Sequence, residues 1–242
     1  MKIVILGYGK MGHEVEQTAL SRGHDVAYRI DNEDDWNKNK VGIAKCDVAI
    51  EFSTPTTALT NIEKCFDVKI PVVVGTTGWY SHLENIRKRC ENERQTLFYA
   101  PNFNIGMNFV FKLNKEMAKF AQRYDYQMNI TETHHIHKLD KPSGTAVKLA
   151  EDIIANNENY NSWQLTECCD SQKNNDKSLK INAIRDGEVF GIHEIKAVSE
   201  CDEITLRHEA FSRKGFAIGA VVAAEFIKDK KGIFTMEKLF ES

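Results

Sequence analysis

Over the first hundred residues, short apolar runs are separated by longer amphipathic stretches. Residues 2–6, 26–30, 48–52, 72–74 and 97–100 read as strands, while 10–22, 56–66 and 81–93 carry apolar side chains at helical spacing. Strands alternating with helices of this length predict crossover units and a parallel sheet covered on both faces. Such sheets bind ligands beyond the carboxyl ends of their strands, so functional loops are expected after Leu6, Ile30, Phe52, Val74 and Ala100.

From about residue 105 the pattern changes. A helix over 106–123 and a strand over 126–133 lead to the turn Lys141-Pro142-Ser143-Gly144-Thr145 and a second helix over 146–155. The polar, Asn-rich stretch 156–178 reads as a long surface loop or an edge insertion. Three strand-like runs follow at 180–184, 189–198 and 203–210, which predicts a separate α+β domain with an open sheet. Small apolar residues at helical spacing over 215–227 predict a helix that packs back on the first domain. The expected organisation is α/β in two domains, one of residues 1–104 and 217–242, the other of residues 105–216.

Composition narrows the function classes. The 32 Lys and Arg against 35 Asp and Glu leave a net charge of -3, so neither nucleic acid nor a membrane surface is expected as partner. No run approaches the roughly 18 apolar residues of a membrane span. The chain opens directly on a strand without a leader layout, and a cytoplasmic location is expected. Six cysteines at 46, 65, 90, 168, 169 and 201 match no zinc or redox spacing and are expected to serve as small buried apolar residues.

Two segments carry chemistry. Gly7-Tyr8-Gly9-Lys10-Met11-Gly12 follows the first strand directly and opens a helix, the context in which G-x-G-x-x-G binds a dinucleotide. Gly7 permits the tight turn, Gly9 lets backbone approach a pyrophosphate, and Gly12 allows close helix–strand contact. Exposed amides and the positive end of the helix then attract phosphates. Asp31, ending the second strand, stands where an acidic side chain accepts ribose hydroxyls, whereas Arg29 and Lys10 are placed to hold a 2′-phosphate. The choice between NADH and NADPH therefore stays open.

The second segment is Glu132-Thr133-His134-His135-Ile136-His137-Lys138 with the Ser143-Gly144-Thr145 turn. Neighbouring side chains on a strand point to opposite faces, and no cysteine or suitably spaced carboxylate completes a ligand set, so no metal is expected. Proton chemistry suits the segment better. A histidine donates a proton near neutrality, Lys138 steadies developing negative charge, and the turn opens a helix whose amides suit a carboxylate. His193 and His208, lone in apolar runs, read as structural groups, and Trp36, Trp79 and Trp163 carry no cofactor pattern.

The run His134-His135-x-His137-Lys138-x-Asp140-x-Pro142-Ser143-Gly144-Thr145-Ala146 resembles the signature of the 4-hydroxy-tetrahydrodipicolinate (dihydrodipicolinate) reductases. Further blocks agree in order: Gly9–Gly12, Phe52-Ser53-x-Pro55, Gly75-Thr76-Thr77-Gly78, Pro101-Asn102-Phe103-Asn104, Arg185-x-Gly187 and His208 to Ala220. The resemblance implies a Rossmann-like dinucleotide-binding domain plus an α+β domain with an open mixed sheet. It also implies NADH- or NADPH-dependent reduction of a dicarboxylate heterocycle to tetrahydrodipicolinate, in lysine biosynthesis, by a homotetramer joined through the second-domain sheets. In that reading His134 is the general acid and Lys138 orients substrate. His135, Ser143, Gly144 and Thr145 contact substrate, the last two holding a ring carboxylate. Phe52, Ser53, Gly75, Thr76, Thr77, Ala100, Pro101, Asn102 and Phe103 complete the cofactor site. The family more often has glycine at the position of Leu6 and another residue at that of Gly7.

Overall fold

A computed structural model describes residues 1–167 and 177–241, which fall into two compact units. Cys168, Cys169 and part of the polar 156–178 stretch lie outside the described residues.

The first unit comprises Met1–Ile105 and the chain from Arg213 onward. In order it contains β1 (Lys2–Leu6), α1 (Lys10–Ser21), β2 (Asp25–Ile30), α2 (Glu33–Ile43), β3 (Val48–Glu51), α3 (Pro55–Asp67), β4 (Val72–Val74), α4 (Leu83–Asn92) and β5 (Thr96–Tyr99). The second unit, Gly106–Ser212, holds nearly all of α5 (Ile105–Arg123), then β6 (Gln127–His134), α6 (Gly144–Asn156), β7 (Ser162–Thr166), β8 (Ser178–Arg185), β9 (Ile192–Val198) and β10 (Glu203–Glu209). The chain then rejoins the first unit with α7 (Lys214–Ile227), β11 (Gly232–Phe234) and α8 (Met236–Phe240).

The six strands of the first unit form a parallel sheet in the order β11-β5-β4-β3-β1-β2. Alternation along each strand sends side chains to two faces. Ile3, Ile5, Ile50, Val73 and Phe98 pack with α1 and α7 on one face. Val4, Leu6, Ala49, Val72, Val74 and Leu97 pack with α2, α3 and α4 on the other. Both faces are covered, which explains why these strands read as continuous apolar runs. In α7, a Cβ at Gly219 would run into the Phe103 carbonyl, so glycine there lets the helix lie against the sheet end.

The second unit is a mixed sheet in the order β10-β9-β6-β8-β7, with β6 at its centre. β6 pairs antiparallel with β9 and parallel with β8. Met107, Met117 and Ala121 of α5 and Leu149, Ala150 and Ile153 of α6 bury its Ile130, Ile181, Ile195 and Ala197.

Four elements escaped the sequence pattern. Residues 33–43 form α2 rather than a plain connection, because the Asn32 side chain accepts from Asp35 N–H (2.9 Å) and Trp36 and Ile43 are its buried anchors. β11 is half-buried rather than a fully buried apolar run, and α8 is too short for helical periodicity to register. Within 156–178, residues 162–166 form the edge strand β7. Cys65 and Cys90 are buried, as expected of apolar cysteines, but Cys201 is exposed beside the β9–β10 turn.

Candidate functional site

In the first unit the strand ends carry the expected loops. Gly7 takes φ +87°, a left-handed conformation that favours glycine, and its N–H donates to Ile30 O (2.8 Å). A Cβ there would strike the Phe52 carbonyl, and one at Gly12 would strike the Gly7 carbonyl. The space around Gly9 is open, with nothing within 4 Å of a Cβ built on it, and no side chain caps α1 where Gly9 begins it. An open cradle under uncapped first-turn amides fits a pyrophosphate. Lys10 is exposed, and Met11 packs partly into the core.

A cleft of about 370 Å³ opens beside this loop, lined by Gly7, Gly9, Asp31, Phe52 and Ser53 among others. Asp31 Oδ1 accepts Tyr8 N–H (2.9 Å), so the acidic side chain is fixed to the loop. Arg29, one of two side chains able by sequence position to hold a 2′-phosphate, is paired with Glu16 on α1, whose carboxylate it holds below the usual range. Trp36, read from sequence as carrying no cofactor role, lines the cleft, with Lys64 Nζ 5.5 Å from its ring centroid. Lys64 also pairs with Glu33, another lining residue. These contributions come from α2 and α3, where no motif marks them.

The remaining expected cofactor residues divide by burial. Ser53 N–H donates to Thr76 Oγ1 (2.8 Å), and a Cβ at Gly75 would meet the Phe52 ring, so these two loops interlock. Thr77 and Pro101 are exposed, and Asn102 Oδ1 accepts Asn104 N–H (2.8 Å). Ala100 and Phe103, each 2% exposed, are core side chains, so they shape the strand end rather than present a surface. Trp79 is buried, with its indole N–H donating to Thr76 O (2.9 Å). Beneath Ser53 lies Glu51, fully enclosed. Burial pushes its carboxyl above the usual range, against hydrogen bonds from Ser53, Thr76 and Asn61 that pull it down.

In the second unit the end of β6 gathers a cluster that linear spacing conceals. Glu132 and His134 share one face of β6, and the register sets Glu132 opposite His193 of β9 and His134 opposite Arg185 of β8. Glu132 is 0% exposed, and its Oε1 accepts Ser143 N–H (2.9 Å) and Arg185 Nη2 (3.2 Å). Its Oε2 lies 3.2 Å from His134 Nδ1 and 3.8 Å from His193 Nε2. Burial opposes the Glu132 charge, but the adjacent His134 imidazole and the Ser143 donors outweigh it and hold the carboxyl at about 2. At 3.2 Å His134 Nδ1 lies close to Glu132 Oε2 without an aligned hydrogen bond. Burial pushes His193 down to about 3, so its ring is neutral at pH 7. His193 thus belongs to the cluster and is not a remote structural group.

The expectation that no carboxylate completes a ligand set needs correcting. Glu132, His134 and His193 place potential ligand atoms within 4.8 Å of one another, the third supplied by a strand some sixty residues later. The Arg185 guanidinium already balances that carboxylate. Among the expected substrate contacts, Ser143 is turned inward. Its Oγ accepts from Ala146 N–H as the cap of α6 and lies 3.3 Å from His193 Nε2. Gly144 is exposed, with nothing within 4 Å of a Cβ built on it, and Thr145 is half-buried beside it. His135 is half-buried, its N–H donating to Val189 O (2.8 Å), and Lys138 Nζ holds Asp140 Oδ1 at 2.8 Å.

Comparison with known proteins agrees with both units. The family described as dihydrodipicolinate reductase, N-terminus, matches residues 1–103, and its C-terminus counterpart matches residues 106–240. A 4-hydroxy-tetrahydrodipicolinate reductase from Christiangramia forsetii is 43% identical over 98% of this chain and 96% of its own. One from Archaeoglobus fulgidus is 34% identical over the whole of both chains. Among solved structures, a dipicolinate-bound dihydrodipicolinate reductase from Paenisporosarcina sp. TG-14 has the same fold, with a TM-score of 0.77 at 24% identity over 97% of each chain. A sequence match that runs through both units at this level leaves one assignment: the chain belongs to the dihydrodipicolinate reductase family.

Proposed function

We propose that this chain performs the family reaction, NADH- or NADPH-dependent reduction of 4-hydroxy-tetrahydrodipicolinate to tetrahydrodipicolinate in lysine biosynthesis, with His134 as proton donor. The observation that carries the residue assignment is the cluster at the end of β6, where the His134 imidazole, a buried carboxylate and a helix-opening turn stand together. When bound, the nicotinamide supplies the hydride. Gly7, Gly9 and the first turn of α1 hold the pyrophosphate, and Asp31 receives the ribose hydroxyls. Ser53, Gly75–Thr77, Pro101 and Asn102 border the nicotinamide end, shaped from beneath by Phe52, Ala100 and Phe103.

On the second unit, amides of Gly144 and Thr145 at the start of α6 receive a ring carboxylate, helped by the helix dipole. Ser143 acts by capping that helix. Lys138 exchanges its Asp140 partner for the negative charge of the substrate, and His135 lines the same edge. His134 delivers a proton to the reduced ring. The dicarboxylate substrate explains why an anion turn and a lysine flank the donor.

We also place the enzyme in the cytoplasm and assemble it as a homotetramer through the second-unit sheet. In support, no described helix is long and apolar enough to cross a membrane, and β10 is a solvent-facing edge strand. Light scattering that returned a monomeric mass would refute the tetramer. The main test is an assay with freshly generated 4-hydroxy-tetrahydrodipicolinate, following NADH and NADPH oxidation separately. Turnover by wild type and a loss of about 100-fold or more in kcat for His134→Gln are expected. Normal turnover by the variant would remove His134 from the role.

A further inference from the structure

Glu132 has no part in the chemistry proposed above, yet the working parts of the second unit meet at its carboxylate. Oε1 takes the Ser143 N–H at the start of the anion turn and the Arg185 guanidinium. The same Arg185 Nη2 donates to Asp140 O (2.6 Å), tying the loop that carries Lys138 to the sheet. Oε2 faces His134 Nδ1 at 3.2 Å. Both of those atoms are enclosed, and among the described residues neither makes an aligned hydrogen bond, which leaves the two facing each other at that distance. His193, buried and 5.0 Å from the His134 ring in an edge-on arrangement, closes the other side.

An ionised carboxylate only accepts hydrogen bonds, so it favours a hydrogen on the imidazole nitrogen it faces. With Nδ1 so occupied, Nε2 is the nitrogen available for exchange. Nε2 lies beside Gly191, where a Cβ would come within 3.0 Å of it, so glycine keeps that edge of the ring clear. A ring held this way carries the donated proton on Nε2. When that proton leaves for the substrate, the N–H electron pair stays on Nε2 and the ring returns to its neutral Nδ1–H form.

We propose that Glu132 is a positioning residue, which keeps the His134 hydrogen on Nδ1 with Nε2 as the donor and fixes the carboxylate-binding turn relative to that ring. The inference rests on the reading of His134 as the acid. One side chain then sets both the direction of the proton and the seat of the substrate.

The test uses the full-length enzyme labelled with 15N-histidine, in which imidazole nitrogen shifts report the tautomer without any substrate. The His134 signals are assigned by their loss in His134→Gln. Wild-type neutral His134 is expected as Nδ1–H, and an Nε2–H form would overturn the proposal by itself. Glu132→Gln keeps an oxygen for Ser143 but sets an amide NH2 against the ring, so His134 is expected to switch to Nε2–H. Its kcat should fall about 100-fold or more while substrate KM stays within about threefold, the pattern of a wrongly oriented proton carrier. Glu132→Asp, which keeps the charge, should retain Nδ1–H and recover much of kcat. An unchanged tautomer in Glu132→Gln, or a raised KM with kcat held, would overturn it. Failure of wild type to reduce 4-hydroxy-tetrahydrodipicolinate would sink the parent reading instead, and the tautomer result would still decide Glu132.

Discussion

At the scale of single residues, the two buried glutamates solve opposite problems. Glu132 keeps its charge because Ser143, Arg185 and His134 surround it with donors and positive charge. Glu51 has only neutral partners in Ser53, Thr76 and Asn61, and its Oε2 is enclosed without one, so burial prevails and raises the carboxyl above its usual range. With a folded pKa above the unfolded value, the stability Glu51 lends is full below about 4.5 and is lost as pH rises through its folded pKa. Glu51→Gln, an uncharged isostere, should therefore melt about 2–4 °C above wild type at pH 8. The two melting curves should converge at acid pH, and parallel curves across pH 4–9 would refute the account. Asp31 offers a second prediction. Its carboxylate faces the cleft while Arg29 is committed to Glu16, so NADH should be preferred over NADPH. Asp31→Ala should shrink the ratio of the two dissociation constants about tenfold, as read by cofactor fluorescence titration.

At the scale of elements, the β1–α1 junction depends on a backbone that only glycine adopts easily. A Gly7→Ala side chain would meet the Phe52 carbonyl while its backbone held φ near +87°. The expected cost is about 1–3 kcal/mol in unfolding free energy, with a loss of cofactor affinity greater than a Gly23→Ala control causes. Gly23 also has positive φ, but nothing lies within 4 Å of its built Cβ. Equal effects in the two variants on cofactor binding would show that the Gly7–Phe52 approach is immaterial. In the second unit, β6 matters because both its neighbours carry site residues. β8 brings Arg185 and β9 brings His193, each placed by strand register. A one-residue slip of either strand would turn that residue to the opposite face.

At the scale of the molecule, the two units should respond to pH with opposite sign. In the second, His193 and Glu132 both have folded pKa values below their unfolded ones, at about 3 and about 2. Their contribution is present above about 6.5 for the histidine and about 4.5 for the glutamate, and it is lost as pH falls toward 2–3. Hydrogen exchange should therefore quicken in residues 106–212 as pH drops from 7 to 4, once corrected for intrinsic rates. His193→Asn should remove the part of that loss lying between pH 6.5 and 4.5. A drop confined to the first unit would contradict the assignment. The first unit carries the contrary, alkaline sensitivity of Glu51.

Much of this protein was legible in the linear chain for definite reasons. A parallel sheet buried on both faces demands unbroken apolar strands, so β1, β3, β4 and β5 announce themselves. The glycines of 7–12 and the His134–Thr145 run lie within short segments, where local geometry follows from neighbours in sequence. β11, half-buried along its length, the five-residue α8, and α2 with its modest apolar content show neither a fully buried apolar run nor a clear helical period. The sequence by itself determined the α/β class, the glycine loop, the histidine strand and the family. Tertiary structure alone decided which side chains turn inward and which meet. Phe103 became core, Trp36 joined the cleft, and Glu132, Arg185 and His193 converged on His134. The physical reason is that strand register and burial act between residues far apart in the chain, and the charge state of an enclosed group depends on every partner they bring to it.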